Sequence, residues 1–358
     1  MIAIEQEIPE APGFASPRDL TYLKPRRRRI SEYEAVICAV QPDMNQYETG
    51  GWYYLRPNGE GTYDSSSTRL VHPDWFEFRD PSSAWQRPYT KNKAQHERAI
   101  EAAVETVKQN GSLDNISEAW LGLIAQYYEA FACFEWGLFK AYAFVGREAL
   151  SDTLTMTATF SCADRLAHQQ DIALFSLELS DHLTGYSEGI GKKTWLNDEK
   201  CQGARKLIEK LCTVDDWCEV VLVTHLLIDP LLTNFISRAL FQSQAARHGD
   251  VATAVIETMS EQDRARALDS TLELLSMLTG EKSRSGLPVP AEQNRGVIQE
   301  LIDHWEPMVM DALAGFSVVY DLIRSPDDEA ADDIVCRAYE KTSALLSQYG
   351  LNLERLEQ

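Results

Sequence analysis

Apolar and polar positions divide the chain into two unlike stretches. Across residues 1–90 no apolar period can develop, because prolines recur at Pro9, Pro12, Pro17, Pro25, Pro42, Pro57, Pro73, Pro81 and Pro88. Each removes a backbone donor and blocks a helix interior. This stretch is expected to be an extended arm with short turns such as Pro57-Asn58-Gly59, anchored by Tyr22, Trp52, Tyr53, Tyr54, Trp75, Phe76, Phe78, Trp85 and Tyr89. Such an arm either wraps its own helical body or lies across another subunit. From about Lys91 the period becomes helical. Helices are expected over His96–Gln109, Ser117–Val145, Ser151–Thr184, Glu199–Cys212, Asp215–Arg247, Val251–Leu278, Gln293–Ile323 and Asp327–Tyr349, with a kink at Asp229-Pro230 in the fifth. Several far exceed the ~11–12 residues of an average helix, which suits antiparallel packing in a large bundle. Residues 91–358 therefore read as one all-α body, with the C-terminal helices starting near 291.

Composition narrows the partners. The 358 residues hold 34 Lys+Arg against 55 Asp+Glu, a net charge of −21, which argues against nucleic acid. Within this balance Arg26-Arg27-Arg28-Arg29 reads as an anchor to an acidic protein surface. The seven cysteines are spread out with no Cys-x-x-Cys pair, as reduced thiols in the cytoplasm would be. No leader segment is read at Met1, and the run from Val220 to Ile228 is shorter than a membrane span, so no membrane partner is expected.

Long-helix bundles favour one chemistry, the carboxylate-bridged di-iron site, built from Glu on two helices and Glu-x-x-His on two more. The residues three before His72, His96, His168, His182, His225, His248 and His304 are Arg69, Lys93, Arg165, Leu179, Leu222, Ala245 and Leu301, none of them acidic. Glu178 and Glu300, four before His182 and His304, each form one isolated pair that reads as surface ion pairing or a satisfied core histidine. Glu135 falls on the apolar stripe between Phe131 and Leu138, where a charge costs several kcal/mol unless paired. Arg165 and His168 lie three apart on the next helix, with arginine where a metal motif needs glutamate. Arg165 is thus expected to supply to Glu135 the positive charge that iron would have supplied; an atypical metal site near Glu135 and His168 is the alternative. The segment Gly185 to Thr194 has the wrong spacing for a phosphate loop and reads as a loop, and no Gly-x-Ser-x-Gly elbow occurs.

A resemblance adds to this reading. Tyr22-Leu23-Lys24-Pro25, Arg29-Ile30-Ser31-Glu32-Tyr33-Glu34-Ala35, Gln41-Pro42, Asp74-Trp75-Phe76, Arg79-Asp80-Pro81, Trp85, Pro88-Tyr89, Lys91-Asn92-Lys93, Ala130-Phe131, Glu135-Trp136-Gly137-Leu138-Phe139, Arg147-Glu148-Ala149-Leu150-Ser151-Asp152 and His248-Gly249-Asp250 follow in order. Together they resemble the hydroxylase β (small) subunits of soluble methane- and alkene-type multicomponent di-iron monooxygenases. The resemblance implies a ferritin-like (ribonucleotide-reductase-like) bundle with no catalytic, cofactor-binding or metal-binding residue of its own. It implies an α subunit that holds the di-iron centre, a second αβ unit, a regulatory (coupling) protein, and a reductase carrying NADH-derived electrons through FAD and an iron–sulfur cluster. It also implies that the arm lies over α, with Tyr22, Pro25, Arg26, Arg29, Tyr33, Trp75, Phe76, Arg79, Trp85 and Tyr89 as interface residues. Alkene epoxidation and alkane hydroxylation both fit it. An independent metalloenzyme and a helical adaptor protein are the other readings.

Overall fold

A computed structural model describes residues 25–40, 65–183, 186 and 189–353. Tyr22, Trp52, Tyr53, Tyr54, the turn Pro57-Asn58-Gly59, Gln41-Pro42, Thr184 and Gly185 lie outside these residues. The described residues form ten helices: α1 (Glu32–Val40), α2 (Gln86–Gln109), α3 (Glu118–Leu123, a π-helical turn Ile124–Tyr128, then Glu129–Glu148), α4 (Asp152–His182), α5 (Ile190–Asn197), α6 (Glu199–Leu211), α7 (Trp217–His248), α8 (Val251–Thr279), α9 (Ala291–Asp321) and α10 (Ala331–Ser347). Among them the sole β-type pairing is an isolated bridge between Lys282 and Pro288.

Helix starts follow local chemistry. Ser117, Ser151, Asp198, Asp216 and Asp250 each cap the helix that follows, accepting from backbone N–H groups of its first turn. Four helices close the core: α3 packs most extensively on α4, α4 on α8, α8 on α7, and α7 back on α3. Trp120, Tyr128, Phe131, Phe134, Trp217 and Phe241 fill it. α2 lies along α8, and α9 packs against α6 and α7, with α10 outside them.

Four expectations change. The proline-rich stretch is not wholly extended: α1 lies within it, and α2 begins at Gln86 rather than His96, because Pro88 sits in the first turn, where its missing N–H has no helical acceptor. The segment read as a loop holds α5, whose first amides are satisfied by the Glu129 carboxylate (Gly189 N–H 2.8 Å, Gly191 N–H 3.1 Å). Around Asp229-Pro230 the helix widens into two π-helical stretches, Thr224–Thr233, which contains Pro230, and Phe235–Gln242, rather than continuing as α-helix with one local irregularity. Finally, α7 is long and apolar enough to cross a membrane, yet 83% of that apolar window is buried inside the protein, as a central core helix requires.

The arm residues that are described pack on this body. Tyr33 and Ile37 of α1 form a small cluster with Trp85. Arg79 Nε donates to Glu34 at 3.1 Å, both side chains buried, and Tyr33 Oη accepts from Asp80 N–H. Burial alone would raise the Glu34 carboxyl, but the Arg26 and Ser31 amides, the Ser31 hydroxyl and Arg79 outweigh it and bring the pKa to about 2.

α6 and α9 meet through two glycines. A Cβ on Gly315 would stand 2.1 Å from the Lys200 carbonyl, and one on Gly203 would stand 2.8 Å from that of Asp311. Both obstacles are backbone, so neither can swing away. Replacing Gly315 with Ala should therefore cost about 1–3 kcal/mol in urea unfolding, whereas Ala at Gly296, with nothing within 4 Å, should cost far less. Equal effects at the two positions would contradict this packing.

Candidate functional site

Buried charges gather where the four core helices meet. Glu135 on α3 and Glu257 on α8 are 0% exposed, and Asp229 on α7 is also buried. Arg165 and His168 on α4 and Arg264 on α8 face them, so three carboxylates meet three basic side chains. Arg165 bridges two helices: Nη1 donates to both Glu135 oxygens at 3.3 Å, and Nη2 donates to Asp229 Oδ2 at 2.5 Å. His168 joins α3 again and adds α8, with Nε2 2.9 Å from Glu257 Oε1 and Nδ1 3.5 Å from Glu135 Oε1. Glu257 also accepts from Tyr128 Oη at 2.8 Å and from Ser237 Oγ, and Arg264 donates to Ser237 and Ser260 at 2.6 Å each.

Titration follows from these neighbours. Burial alone would push His168 down, but Glu257 and Glu135 overcome it and raise the imidazole to about 9, so it is cationic at neutral pH. Burial likewise opposes ionisation of the carboxylates; Arg165 outweighs it at Glu135 and Asp229, and His168 does so at Glu257, so all three lie below their usual range. His225 differs, because burial lowers its pKa. Its Nδ1 lies 2.8 Å from Asp229 Oδ2 and its Nε2 meets the Tyr142 hydroxyl, an arrangement met by a neutral ring with Nδ1 donating and Nε2 accepting. With His225 neutral and His168 charged, the cluster is balanced.

A divalent metal does not fit here. The position between Glu135 and Asp229 is taken by a guanidinium, and the imidazole that would have to ligate is held as a cation. Among the described residues no group of three or more His, Cys, Asp or Glu side chains could hold a metal ion. The guanidinium between Glu135 and Asp229 argues against the alternative of an atypical metal site near Glu135 and His168.

A second buried cluster ties α2 to the bundle. Lys93 Nζ lies 2.6 Å from Asp263 and 3.4 Å from Asp164, while Asp164 also pairs with Arg266 and accepts from Tyr89 Oη at 2.9 Å.

The residues expected at an interface separate by exposure. Tyr33 and Arg79 are buried within this chain and have no surface left for a partner. Trp75 packs edge-on against Trp217 (5.4 Å between centroids), Tyr89 stacks on Phe160 (4.1 Å), and Phe76, Trp85 and Pro25 are half-buried. Arg26 and Arg29 are exposed, and Arg26 reaches Glu273 on α8 at 2.6 Å. Tyr22 lies outside the described residues. Of the histidine–carboxylate pairs, His182 lies 3.7 Å from Glu178 on the surface, whereas Glu300 pairs with Arg69. Asp229, Glu257 and Arg264 escaped sequence reasoning, although Asp229 carried a signal: it interrupts the apolar run from Leu226 to Leu232.

Comparisons with known proteins agree with the fold. A family model described as Methane/Phenol/Alkene Hydroxylase matches residues 52–282. The chain is 28% identical over 339 residues to the propane 2-monooxygenase hydroxylase small subunit of Mycolicibacterium smegmatis, covering 94% of this chain and 90% of that one. It is 30% identical over 248 residues to the methane monooxygenase component A beta chain of Methylosinus trichosporium, covering 67% and 63%. In three dimensions a chain of phenol hydroxylase from Pseudomonas sp. OX1 superposes with a TM-score of 0.76 at 21% identity, covering 91% and 92%.

Two outcomes test the cluster. Replacing Arg165 with Ala strands Glu135 and Asp229 and should cost about 3–5 kcal/mol in chemical denaturation; full retained stability would contradict the pairing. His168 titrates near 6.5 unperturbed and about 9 when folded, so its stabilisation is complete below pH 6.5 and fades as pH rises towards 9. The denaturation midpoint should fall across that window, and His168→Gln should flatten the fall. A wild-type slope unchanged by the substitution would contradict the assignment.

Proposed function

The chain belongs to the methane/phenol/alkene hydroxylase family, and from that premise we propose that it acts as the β, or small, subunit of the hydroxylase component of a soluble di-iron monooxygenase. The observation that carries this reading is the bundle centre, whose carboxylates are neutralised by Arg165, His168 and Arg264. The enzyme is the complex: a larger α subunit holds the iron, and this chain supplies no group that touches substrate or oxygen. Its contribution is a rigid helical body against which α is positioned.

Finer features follow the same reading. Two αβ units assemble into the hydroxylase, a regulatory protein docks on it, and electrons reach α from NADH through a reductase with FAD and an iron–sulfur cluster, all in the cytoplasm. Relatives named for propane and methane favour a short hydrocarbon as substrate, through alkane hydroxylation or alkene epoxidation. Residues 1–90 serve as the arm that meets α, using the side chains that the body leaves exposed, Arg26 and Arg29 among them, while Tyr33 and Arg79 hold the arm's base in place. An obligate interface of this kind buries roughly 2,000 Å² or more.

Purification of the tagged chain, expressed together with its genomic neighbours, tests the reading. A larger chain with two Glu-x-x-His motifs should co-purify, and NADH-dependent hydrocarbon oxidation should require both chains and the reductase. Oxidation by this chain with the reductase alone would overturn it.

A further inference from the structure

The buried cluster has a regularity that its separate ion pairs conceal. Carboxylate-bridged dimetal sites in helical bundles take one carboxylate from each of two helices and Glu-x-x-His from each of the other two. Here α3 contributes Glu135 and α7 contributes Asp229. α4 contributes Arg165-Leu166-Ala167-His168, and α8 contributes Glu257-Thr258-Met259-Ser260. Position by position this is a full ligand scaffold with two replacements: Arg165 where one motif has its glutamate, and Ser260 where the other has its histidine. Ser260 lines a small cavity between α4, α7 and α8, together with Arg165, His225 and Arg264. Its hydroxyl accepts from Arg264 Nη1 at 2.6 Å, which holds a second guanidinium beside the vacated imidazole position.

The two changes are coupled through charge. A dimetal centre of divalent ions brings about four positive charges to its four carboxylates. Replacing one glutamate with Arg165 removes a negative charge and adds a positive one. The three remaining carboxylates then need only two further basic neighbours: His168 lies 2.9 Å from Glu257, and Arg264 reaches Glu257 through the Ser237 hydroxyl. Once Arg165 is present, a metal would meet a guanidinium 3.3 Å from Glu135 and 2.5 Å from Asp229, with one histidine ligand missing.

We propose that this cluster is a dimetal scaffold closed by only two side chains, Arg165 and Ser260, and that restoring glutamate and histidine at these positions makes the chain itself bind a pair of divalent cations. The inference concerns the chain's own metal chemistry and stands whether or not the subunit reading holds, since its readouts require no partner.

The test is Co²⁺ binding to the full-length chain. Arg165→Glu combined with Ser260→His should take up about two Co²⁺ per chain, show the visible d–d absorption of bound cobalt, and unfold at a higher temperature with Co²⁺ than without. Wild type and Ser260→His alone should do none of these, because Arg165 is still in place. A folded double variant with no more cobalt than wild type would overturn the proposal. Should the double variant be unfolded both with and without Co²⁺, Arg165→Gln combined with Ser260→His decides. That variant removes the guanidinium and restores the histidine, leaving three carboxylates and two imidazoles, so Co²⁺ should raise its melting temperature by several degrees while leaving wild type unchanged. Indifference of this variant to Co²⁺ would equally overturn the proposal.

Discussion

Three carboxylates at the centre of a four-helix bundle cannot all remain ionised without nearby positive charge, and in this protein that charge is carried by side chains. An unpaired carboxylate in such an interior costs several kcal/mol, and removing one partner from a buried pair costs a comparable amount. Arg165 joins α4 to α3 and α7, while His168 joins α4 to α3 and α8, so the charges are satisfied only when all four helices stand in one register. Apolar packing around Phe131, Phe134 and Phe241 would tolerate some sliding between helices. The directional bonds of the cluster tolerate far less.

The same constraint gives the chain its place in a larger assembly. Arg165 and the charged His168 oppose a metal at the bundle centre, which fits the proposed role of a subunit that leaves the oxidation chemistry to its partner. What remains is a stiff body. Its long helices pack at backbone distance where Gly315 approaches Lys200, and its N-terminal helices are clamped by buried pairs at Glu34–Arg79 and Lys93–Asp263. A subunit with these properties supports its partner by holding a shape rather than by supplying reactive groups.

Much of this was legible in the sequence, for identifiable reasons. Helical period located the long helices, and Ser151 was readable as a cap because a short hydroxyl side chain is favoured at that position. Glu135 stood out because it interrupts an apolar stripe, and Arg165 because it takes a ligand position in a motif otherwise ending in His168. Asp229 and Glu257 were less visible. Asp229 precedes a proline, which invites explanation as a helix breaker, and Glu257 becomes meaningful only once α8 is known to face α4. Pro88 concealed the first turn of α2, since proline is harmless there and disruptive a turn later. The π-helical stretches of α7 leave almost no trace in composition: Pro230 marks an irregularity in the first of them but not its form.

The central claim, that guanidinium and imidazolium rather than metal neutralise the bundle centre, can be tested on the intact hydroxylase. Anomalous diffraction collected at the iron absorption edge from crystals of the complex should place every iron peak in the larger subunit, with continuous guanidinium density joining Glu135 to Asp229 in this chain. An iron peak between Glu135 and Glu257, with Arg165 turned away, would contradict the account.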